Sequence, residues 1–218
     1  MVQKERCVII LSGGPDSTTV AYWAKNTEHD VFGLSFKYGQ IAVQEVEHAT
    51  RIAEKLELPL KIINLSSLKD IFRGVTSLCD VTIEMTSQFS QPIIVPFRNG
   101  IFLAVAVAYA ISIGATKIFY GAHGSDETNY PDCRKAFYES FTNTAKIGTD
   151  SDIHIEAPFS SMSKSEIITL GQKLDVPFHL TWSCYLNGSK HCGRCESCVN
   201  RRKAFEEAGI LDPTEYVE

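Results

Sequence analysis

The sequence predicts an α/β fold in which helices flank a parallel β-sheet, followed by a C-terminal helical segment with a cysteine cluster. Two observations support this fold class. Short β-branched runs alternate with helical periodicity along the chain, and four of the seven cysteines fall within the last 35 of the 218 residues. This length suits one domain of roughly 150 to 200 residues with a small appendage. We therefore predict an α/β domain over residues 1–175 and a metal-binding segment over 176–218.

The first 65 residues predict three strands and two helices. The run Cys-Val-Ile-Ile-Leu at 7–11 is typical of a strand buried on both faces, and it ends at a Ser-Gly-Gly turn. A helix is expected over 17–25, a strand over 31–36, a helix over 42–56 with apolar residues three and four apart, and a strand over 60–65. This βαβαβ order implies a parallel sheet with right-handed crossovers.

The rest of the chain continues the alternation after an irregular excursion over residues 66–96, which we expect to cover a site. The apolar run 101–113 is shorter than the roughly 20 residues that a membrane span needs, so it is interpreted as a buried helix. The other predicted elements are strands over 117–121 and 153–155 and helices over 135–146, 164–174 and 196–208. The sequence Ser163-Lys-Ser-Glu166 has the spacing of a capping box for the helix over 164–174.

Charge and composition bound the class of protein. The chain has 21 Lys and Arg against 26 Asp and Glu, for a net charge of −5, which argues against a strongly basic nucleic-acid binder. The segment Met1–Arg6 does not resemble a targeting signal. We therefore expect a cytoplasmic enzyme, in whose reducing compartment clustered cysteines hold a metal rather than form disulfides.

The glycine-rich turn after the first predicted strand is a candidate phosphate site. Ser12-Gly-Gly-Pro-Asp-Ser-Thr18 lies at a strand-to-helix junction, where backbone N–H groups and the positive helix end attract anions. A carboxylate at Asp16 would repel phosphate unless Mg²⁺ lies between them. The turn lacks the lysine of a G-x-x-x-x-G-K-[ST] loop and the glycines of a dinucleotide site. The alternative is a plain turn.

The cysteine cluster has the spacing C-x7-C-x2-C-x2-C, formed by Cys184, Cys192, Cys195 and Cys198. Four sulfur ligands complete the tetrahedron that Zn²⁺ prefers in closed structural sites. A redox pair and an iron–sulfur cluster are the alternatives. His191 is interpreted as a surface histidine. Four basic residues are expected to offset the thiolate charge: Lys190, Arg194, Arg201 and Arg202.

Two segments in the middle of the chain carry further candidate groups. Arg98 and Asn99 lie near the start of the apolar helix and can hold a carboxylate or phosphate, although Asn99 alone can also be a helix cap. The segments 121–126 and 130–134 follow the fourth strand, at the edge where open α/β sheets bind ligands. In them, Asp126 and Asp132 are candidates for Mg²⁺ or a purine edge, His123 for proton transfer, Tyr130 for substrate contact and Cys133 for a core thiol.

The loop Ser12-Gly-Gly-x-Asp-Ser17 resembles the pyrophosphate loop of the ATP-pyrophosphatase (PP-loop) superfamily, whose members have a Rossmann-like fold of the adenine nucleotide alpha hydrolase type. Together with Pro96-Phe-Arg-Asn99, Gly121-Ala-His123, Tyr130-Pro-Asp-Cys-Arg134 and the four C-terminal cysteines, it resembles the 7-cyano-7-deazaguanine synthases over essentially the whole chain. Two departures are Pro15, in the variable position of the loop, and Phe97, where many members have Gly. The second is expected to alter the shape of the pocket.

The resemblance implies the ATP-dependent conversion of 7-carboxy-7-deazaguanine and ammonia to 7-cyano-7-deazaguanine, on the route to queuosine or archaeosine. It also implies ATP with Mg²⁺, one structural Zn²⁺ on the four cysteines, and a homodimer. The implied catalytic residues are Asp16, Ser17, Arg98 and Asp132. The implied ATP-binding residues are Leu11, Ser12, Gly13, Gly14, Asp16, Ser17, Thr18 and Thr19. The implied substrate-binding residues are Arg98, Asn99, His123, Asp126, Tyr130 and Asp132.

Two other functions remain open at this point. One is a PP-loop enzyme of tRNA thiolation or lysidine formation, which needs a tRNA-binding surface and, for sulfur transfer, a reactive cysteine outside the metal site. Only Cys7, Cys79 and Cys133 are available for that role. The other is a non-catalytic zinc module that binds nucleic acid. The acidic balance favours neither, so no nucleic-acid or membrane partner is expected.

Overall fold

The fold is a three-layer α/β/α sandwich around a parallel sheet. The computed structural model describes residues 4–27 and 29–217. Five strands lie in the order β3-β2-β1-β4-β5, and every neighbouring pair is parallel. The strands are β1 Arg6–Ile10, β2 Asp30–Lys37, β3 Leu60–Asn64, β4 Lys117–Phe119 and β5 His154–Glu156. The predicted fold class is confirmed.

Helices cover both faces of the sheet. They are α1 Pro15–Asn26, α2 Gln44–Leu56, α3 Lys69–Phe72, α4 Arg98–Ile113, α5 Lys135–Thr149, α6 Lys164–Lys173 and α7 Glu196–Glu207. One core joins α4 and α5 to the sheet through residues such as Val8, Leu103 and Ile118. The other joins α1, α2 and α6 through residues such as Ile9, Ile52 and Ile167. Successive side chains of β1 therefore enter opposite cores, as the continuous apolar run predicts.

The boundaries of several helices differ from the prediction. Helix α1 begins at Pro15, two residues before the predicted start, because proline at a first helical position has φ already suited to the helix and needs no N–H partner. Helix α5 extends to Thr149 and ends at Asp150 in the left-handed conformation (φ 47°). The capping box of α6 is confirmed, since Glu166 N donates to Ser163 Oγ and Ser163 N donates to the Glu166 carboxylate.

Helix α4 begins at Arg98, three residues before the predicted start. Its N-cap is Phe97, at φ 55°, and not Asn99. The Asp132 carboxylate caps the helix from outside, accepting a hydrogen bond from Asn99 N at 3.0 Å. The Phe97 ring lies over Gly100 and against Phe137, outside the large cavity described below, so the expected effect of this side chain on the pocket is not seen.

The apolar segment that contains α4 is a core helix, as predicted. By length and hydropathy alone, Gln91–Ile113 is apolar enough to cross a membrane. However, Leu103, Ala106 and Ala110 on one face of α4 are fully buried against the sheet. Burial within the sandwich therefore accounts for its hydrophobicity.

The excursion over residues 66–96 contains only short helical turns, as predicted. It is anchored by buried side chains, among them Phe72, Leu78 and Ile93. Ser77 N donates to Pro92 O, which closes the excursion on itself. Leu78 and Ile93 line the large cavity, so this segment forms part of its wall.

The C-terminal segment is held to the α/β core by Arg201, whose side chain is 1% exposed. Its guanidinium donates to Asp212 at 3.1 Å, to Thr181 Oγ1 at 2.8 Å and to Phe178 O at 3.1 Å. It thereby joins α7 to the loop before the cysteines and to the chain after α7. Arg201 was expected to offset thiolate charge, and its partners show instead that it pairs with Asp212. The division into segments at residue 175 stays a prediction.

We predict that Asp212→Asn lowers the free energy of unfolding by about 3 kcal/mol, because it leaves a buried guanidinium without its counter-charge. Burial opposes the Asp212 charge, but Arg201 and the Tyr216 and Thr214 donors outweigh it and lower the pKa of Asp212. This contribution to stability is therefore present above the ordinary aspartate pKa of about 3.9 and is lost as the pH falls through the lower folded value. Urea unfolding at pH 7 and pH 3 measures both effects.

The matched control is Glu215→Gln, which removes an exposed carboxylate paired with Lys190 in the same segment. It should change stability by less than about 0.5 kcal/mol. Equal effects of the two variants would contradict the importance assigned to the Arg201 pair.

Candidate active site and metal centre

The glycine-rich turn lies where the sheet order reverses, between β1 and β4, which is the usual ligand crevice of open α/β sheets. Gly13 has φ +85°, and a Cβ there would lie 2.5 Å from Glu45 O and 2.8 Å from Ala49 N of α2. Only glycine fits both the backbone conformation and this close approach. Gly121, after β4, is also confined, since a Cβ would lie 3.1 Å from Ser17 N. The turn is therefore clamped from both sides.

The hydroxyls of the turn divide into two groups. Ser12 Oγ and Ser17 Oγ lie 3.0 Å apart, and both residues line the large cavity. Thr18 and Thr19 are fully buried, and their hydroxyls donate to Gly14 O and Pro15 O inside α1. Neither threonine lines the cavity, nor does Gly13. Three of the eight predicted ATP-binding residues therefore do not line this cavity.

Four charged or titratable groups gather beside the turn. His123 Nε2 lies 3.2 Å from Asp126 Oδ2 and 3.8 Å from Asp16 Oδ2, and Lys164 Nζ lies 3.8 Å from the same Asp16 oxygen. Burial raises the pKa of Asp126, with Asp16 adding to the effect. Burial disfavours the Lys164 charge, but Asp16 and Asp126 outweigh it and raise the pKa of Lys164.

Asp16 has the properties that a magnesium ligand requires. Its Oδ1 atom is buried and has no hydrogen-bond partner among the described residues, and His123 Nδ1 is in the same state. A buried carboxylate oxygen without a hydrogen-bond donor destabilises the fold unless a cation or a ligand binds to it. The oxygen donor and its place next to the anion-binding turn fit Mg²⁺ bound to phosphate.

A cavity of about 480 Å³ joins the turn to the middle motifs. All six predicted substrate-binding residues line it, as do Leu11, Ser12, Gly14, Asp16 and Ser17. Six lining residues that the sequence interpretation did not assign to substrate or ATP are Tyr38, Glu45, Lys164, Trp182, Tyr185 and Glu196. From the sequence, Lys164 is assigned only to the capping box, although a lysine in the first turn of a helix opposes the helix dipole and thereby signals another role.

Arg98 faces the cavity with most of its donors free. Its Nη1 donates to Tyr38 OH at 3.3 Å, and the guanidinium lies 5.8 Å from the centre of the Tyr38 ring. A guanidinium has five N–H donors, so several remain for a ligand. A carboxylate or phosphate is the acceptor that this group binds best.

Asp132 and Asn99 are hydrogen-bonded to each other, and both line the cavity. Besides the cap on α4, Asn99 Nδ2 donates to Cys133 Sγ at 3.3 Å. Burial raises the pKa of the Cys133 thiol, with Asp126 and Asp132 adding to the effect, so this thiol stays protonated at neutral pH. Cys133 is therefore a poor nucleophile, and it fits the predicted core thiol although it borders the cavity.

The four C-terminal cysteines form a single cluster. Their Sγ atoms all lie within 4.8 Å of one another, and Cys184, Cys195 and Cys198 are buried. Backbone N–H groups of Leu186 and Cys192 donate to Cys184 Sγ, and the thiols of Cys195 and Cys198 lower the pKa of Cys184. Such donors stabilise thiolate, the form that binds metal. Four convergent sulfurs fit a closed tetrahedral site for Zn²⁺.

His191 is not the surface histidine that was expected. It is 4% exposed and its ring lies 4.2 Å from that of Trp182. Its Nε2 accepts a hydrogen bond from Ser183 N at 2.9 Å, which makes it a neutral structural group beside the cluster. Burial, with the nearby Arg201 charge, lowers the pKa of His191 to about 4.

Trp182 connects the cysteine segment to the glycine-rich turn. Its backbone N donates to Gly13 O at 2.9 Å, and its indole donates to Cys184 O at 2.7 Å. The cysteine cluster is therefore two hydrogen bonds away from the candidate phosphate site.

This chain is similar to known proteins over nearly its whole length. A family model described as "Queuosine biosynthesis protein QueC" matches residues 6–209. The chain is 41% identical over 214 residues to a 7-cyano-7-deazaguanine synthase of Caldicellulosiruptor bescii, covering 97% of each chain. It is 41% identical over 220 residues to one of Oceanobacillus iheyensis, covering 98% of this chain and 99% of the relative.

Among solved structures, an NH3-dependent NAD synthetase from Campylobacter jejuni has a similar fold, with a TM-score of 0.55 and 21% sequence identity over 82% of this chain and 67% of its own. At that identity the likeness concerns the fold alone. The match over nearly the full length and the site geometry agree, and the chain belongs to the 7-cyano-7-deazaguanine synthase family.

Proposed function

We propose that this protein converts 7-carboxy-7-deazaguanine and ammonia to 7-cyano-7-deazaguanine with consumption of ATP. The observation that carries the proposal is the single cavity that joins the glycine-rich turn to Arg98, His123, Asp126 and Asp132. In this cavity, the glycine-rich turn can bind the phosphates of ATP while the Arg98 guanidinium binds the carboxylate of the second substrate. Relatives at 41% identity carry the name of this activity.

The chemistry explains why an anion-binding turn is needed. A carboxylate resists attack because oxide is a poor leaving group, so its oxygen first displaces pyrophosphate from ATP to form an acyl adenylate. Ammonia then displaces AMP and loses a proton, which gives the amide. The amide oxygen displaces pyrophosphate from a second ATP, and loss of AMP and of the nitrogen protons leaves the nitrile. Both carboxylate oxygens depart in AMP.

On the ATP side, the Gly14 backbone and the Ser12 and Ser17 hydroxyls are proposed to bind the departing pyrophosphate. Asp16 is proposed to hold Mg²⁺, which neutralises phosphate charge when bound. Lys164, 3.8 Å from Asp16, supplies a positive charge at the same place. Thr18 and Thr19 act indirectly in this proposal, since their buried hydroxyls stabilise the first turn of α1.

On the other side, Arg98 is proposed to hold the substrate carboxylate, and Asp132 and Asn99 to contact the purine. Free ammonia is the proposed nitrogen source. We further propose one structural Zn²⁺ on the four cysteines, a homodimer, a cytoplasmic location, and a product that serves queuosine or archaeosine biosynthesis. The cavity supports a small anionic purine as the substrate. It gives no comparable support to a tRNA-modifying enzyme or to a nucleic-acid-binding module.

The function is tested by incubating the protein with ATP, ammonium and 7-carboxy-7-deazaguanine and identifying the product by mass spectrometry. We predict that Asp16→Asn lowers substrate-dependent AMP formation by at least about 100-fold, because the variant loses the charge that holds Mg²⁺ while keeping its shape. The circular dichroism spectrum should not change.

Asp30→Asn is the matched control, since Asp30 is a half-exposed residue paired with Arg6 at the far end of the sheet. It should retain wild-type turnover. Undiminished turnover by the Asp16 variant would refute the assignment of Asp16. Tight tRNA binding without substrate-dependent AMP formation by the wild type would refute the function itself.

Removal of the metal should destabilise the fold. We predict that a strong chelator lowers the melting temperature by several degrees or more, since each 1 kcal/mol shifts a domain of this size by about 2 to 4 °C. Thiol titration should then detect four additional reactive cysteines. Cys195→Ser should lose bound zinc in elemental analysis, whereas Cys79→Ala, outside the cluster, should retain it. Equal zinc content in the two variants would contradict the site.

A further inference from the structure

Glu45 is a carboxylate on the cavity wall that has no role in the scheme above. Glu45 lies in the first turn of α2, directly behind the glycine-rich turn. Gln40 Nε2 donates to Glu45 Oε2 at 3.4 Å, and Gln40 is itself oriented because its Oε1 accepts from Tyr38 N at 2.8 Å. No donor in the described part of the chain occupies Glu45 Oε1, and the residue lines the cavity. Glu45 is therefore held in place with accepting capacity directed to a ligand.

The complementary group on the same wall is Arg98. Within residues 4–27 and 29–217, no carboxylate oxygen comes within ion-pair distance of Arg98, and Tyr38 OH is its protein acceptor. A guanidinium with free donors thus lies near a carboxylate with a free oxygen, and the two are not paired with each other. A ligand that hydrogen-bonds to both groups must carry acceptors for Arg98 next to donors for Glu45.

The other carboxylates of the cavity have other partners. Glu196 accepts from Tyr185 OH and from Asn200 Nδ2, one on each oxygen. Asp132 caps α4 with one oxygen. Asp16 and Asp126 belong to the cluster around His123. Glu207 is half-exposed and pairs with Lys203 at 3.7 Å. Glu45 is thus a carboxylate that is neither a helix cap nor part of that cluster, forms no ion pair with any described residue and still has an oxygen free.

The aromatic surroundings suit a flat base. Phe36 and Phe102 stack at 4.1 Å between ring centres, Tyr38 meets Phe102 edge to face at 5.4 Å, and all three line the cavity. The 7-deazaguanine ring carries N1–H and a 2-amino group on one edge, next to the O6 acceptor and the 7-carboxylate. The two donors on the ring suit the Glu45 carboxylate, and the two neighbouring acceptors suit the Arg98 guanidinium.

We propose that Glu45 is a specificity-determining residue, whose carboxylate accepts hydrogen bonds from N1–H and the 2-amino group of the substrate while Arg98 binds O6 and the 7-carboxylate. This inference rests on the proposed function and adds the group that distinguishes a guanine-type base from one without the 2-amino group. In that case Asp132 either contacts another edge of the purine or acts only as the cap of α4.

The ionisation of Glu45 gives the inference a pH signature. Burial raises the pKa of Glu45 to about 7, and Arg98 and Gln40 partly oppose that rise. The titratable and charged groups around it are Arg98 from α4, Tyr38 from the loop after β2 and Cys79 from the excursion, and burial keeps the last two protonated. Only the ionised carboxylate accepts two donors. Substrate affinity should therefore increase as the pH rises through about 7.

The experiment measures KM and kcat for 7-carboxy-7-deazaguanine and for its analogue without the 2-amino group. Glu45→Gln should raise the KM for the full substrate about 10-fold or more, because its amide donor faces the substrate donors. The KM for the analogue and the kcat should change little, so discrimination falls. The pH dependence of KM between pH 6 and 8 should also disappear. Glu47→Gln, an exposed neighbour on the same helix, is the matched control and should behave as the wild type.

Three outcomes would overturn the inference. In the first, Glu45→Gln keeps the wild-type ratio of KM values for substrate and analogue. In the second, it lowers kcat alone, which would indicate proton transfer. In the third, Asp132→Asn abolishes the discrimination and Glu45→Gln does not. Wild-type turnover of the full substrate is measured in the same assay, so failure of the proposed function, seen as no turnover, is distinguishable from failure of the role of Glu45.

Discussion

The turn after β1 packs closely against α2 and the cysteine segment, and this packing holds the parts of the candidate site together. Gly13, at φ +85°, leaves no room for a side chain between itself and the α2 backbone. Its carbonyl accepts from Trp182 N at 2.9 Å, and Trp182 in turn donates to Cys184 O. The turn is therefore fixed by the sheet, α2 and the cysteine segment together. A phosphate site formed from backbone N–H groups requires such rigidity, because any displacement changes every donor distance at once.

Charge in the cavity is balanced unevenly. Beside the turn, Asp16 and Asp126 lie close to His123, and the Lys164 ammonium group 3.8 Å from Asp16 offsets part of the carboxylate charge. Arg98 and Glu45, which line the same cavity, are half-buried and do not form an ion pair with each other. Buried charges without partners destabilise a fold, and such unfavourable arrangements are typical of binding sites that a ligand completes. This imbalance is the observation on which the proposed substrate side of the cavity rests.

The sequence predicted well the features that depend on local rules. The alternation of runs across β1, α1 and β2 implied the parallel sheet, and Ser163 with Glu166 implied the start of α6, because strand burial and helix capping are set by residues a few positions apart. It failed where a distant residue decides. The sequence left Asn99 as either a ligand-holding amide or a helix cap, and the carboxylate that caps α4 belongs instead to Asp132, 33 positions away. His191 looked exposed because nothing in its neighbourhood indicated that Trp182 covers it.

Residue type and short spacing were enough to predict the order of strands and helices, the position of the glycine-rich turn and the cluster of four sulfurs. Which polar groups line the cavity follows only from the tertiary structure. Thr18 and Thr19 have the right chemistry but bond inward to α1, whereas Lys164 and Glu45 were not predicted as site residues and lie on the cavity wall. The reason is geometric: the carboxyl ends of β1, β2 and β4 converge, and the direction of each side chain there depends on how helices far apart in sequence pack against the sheet.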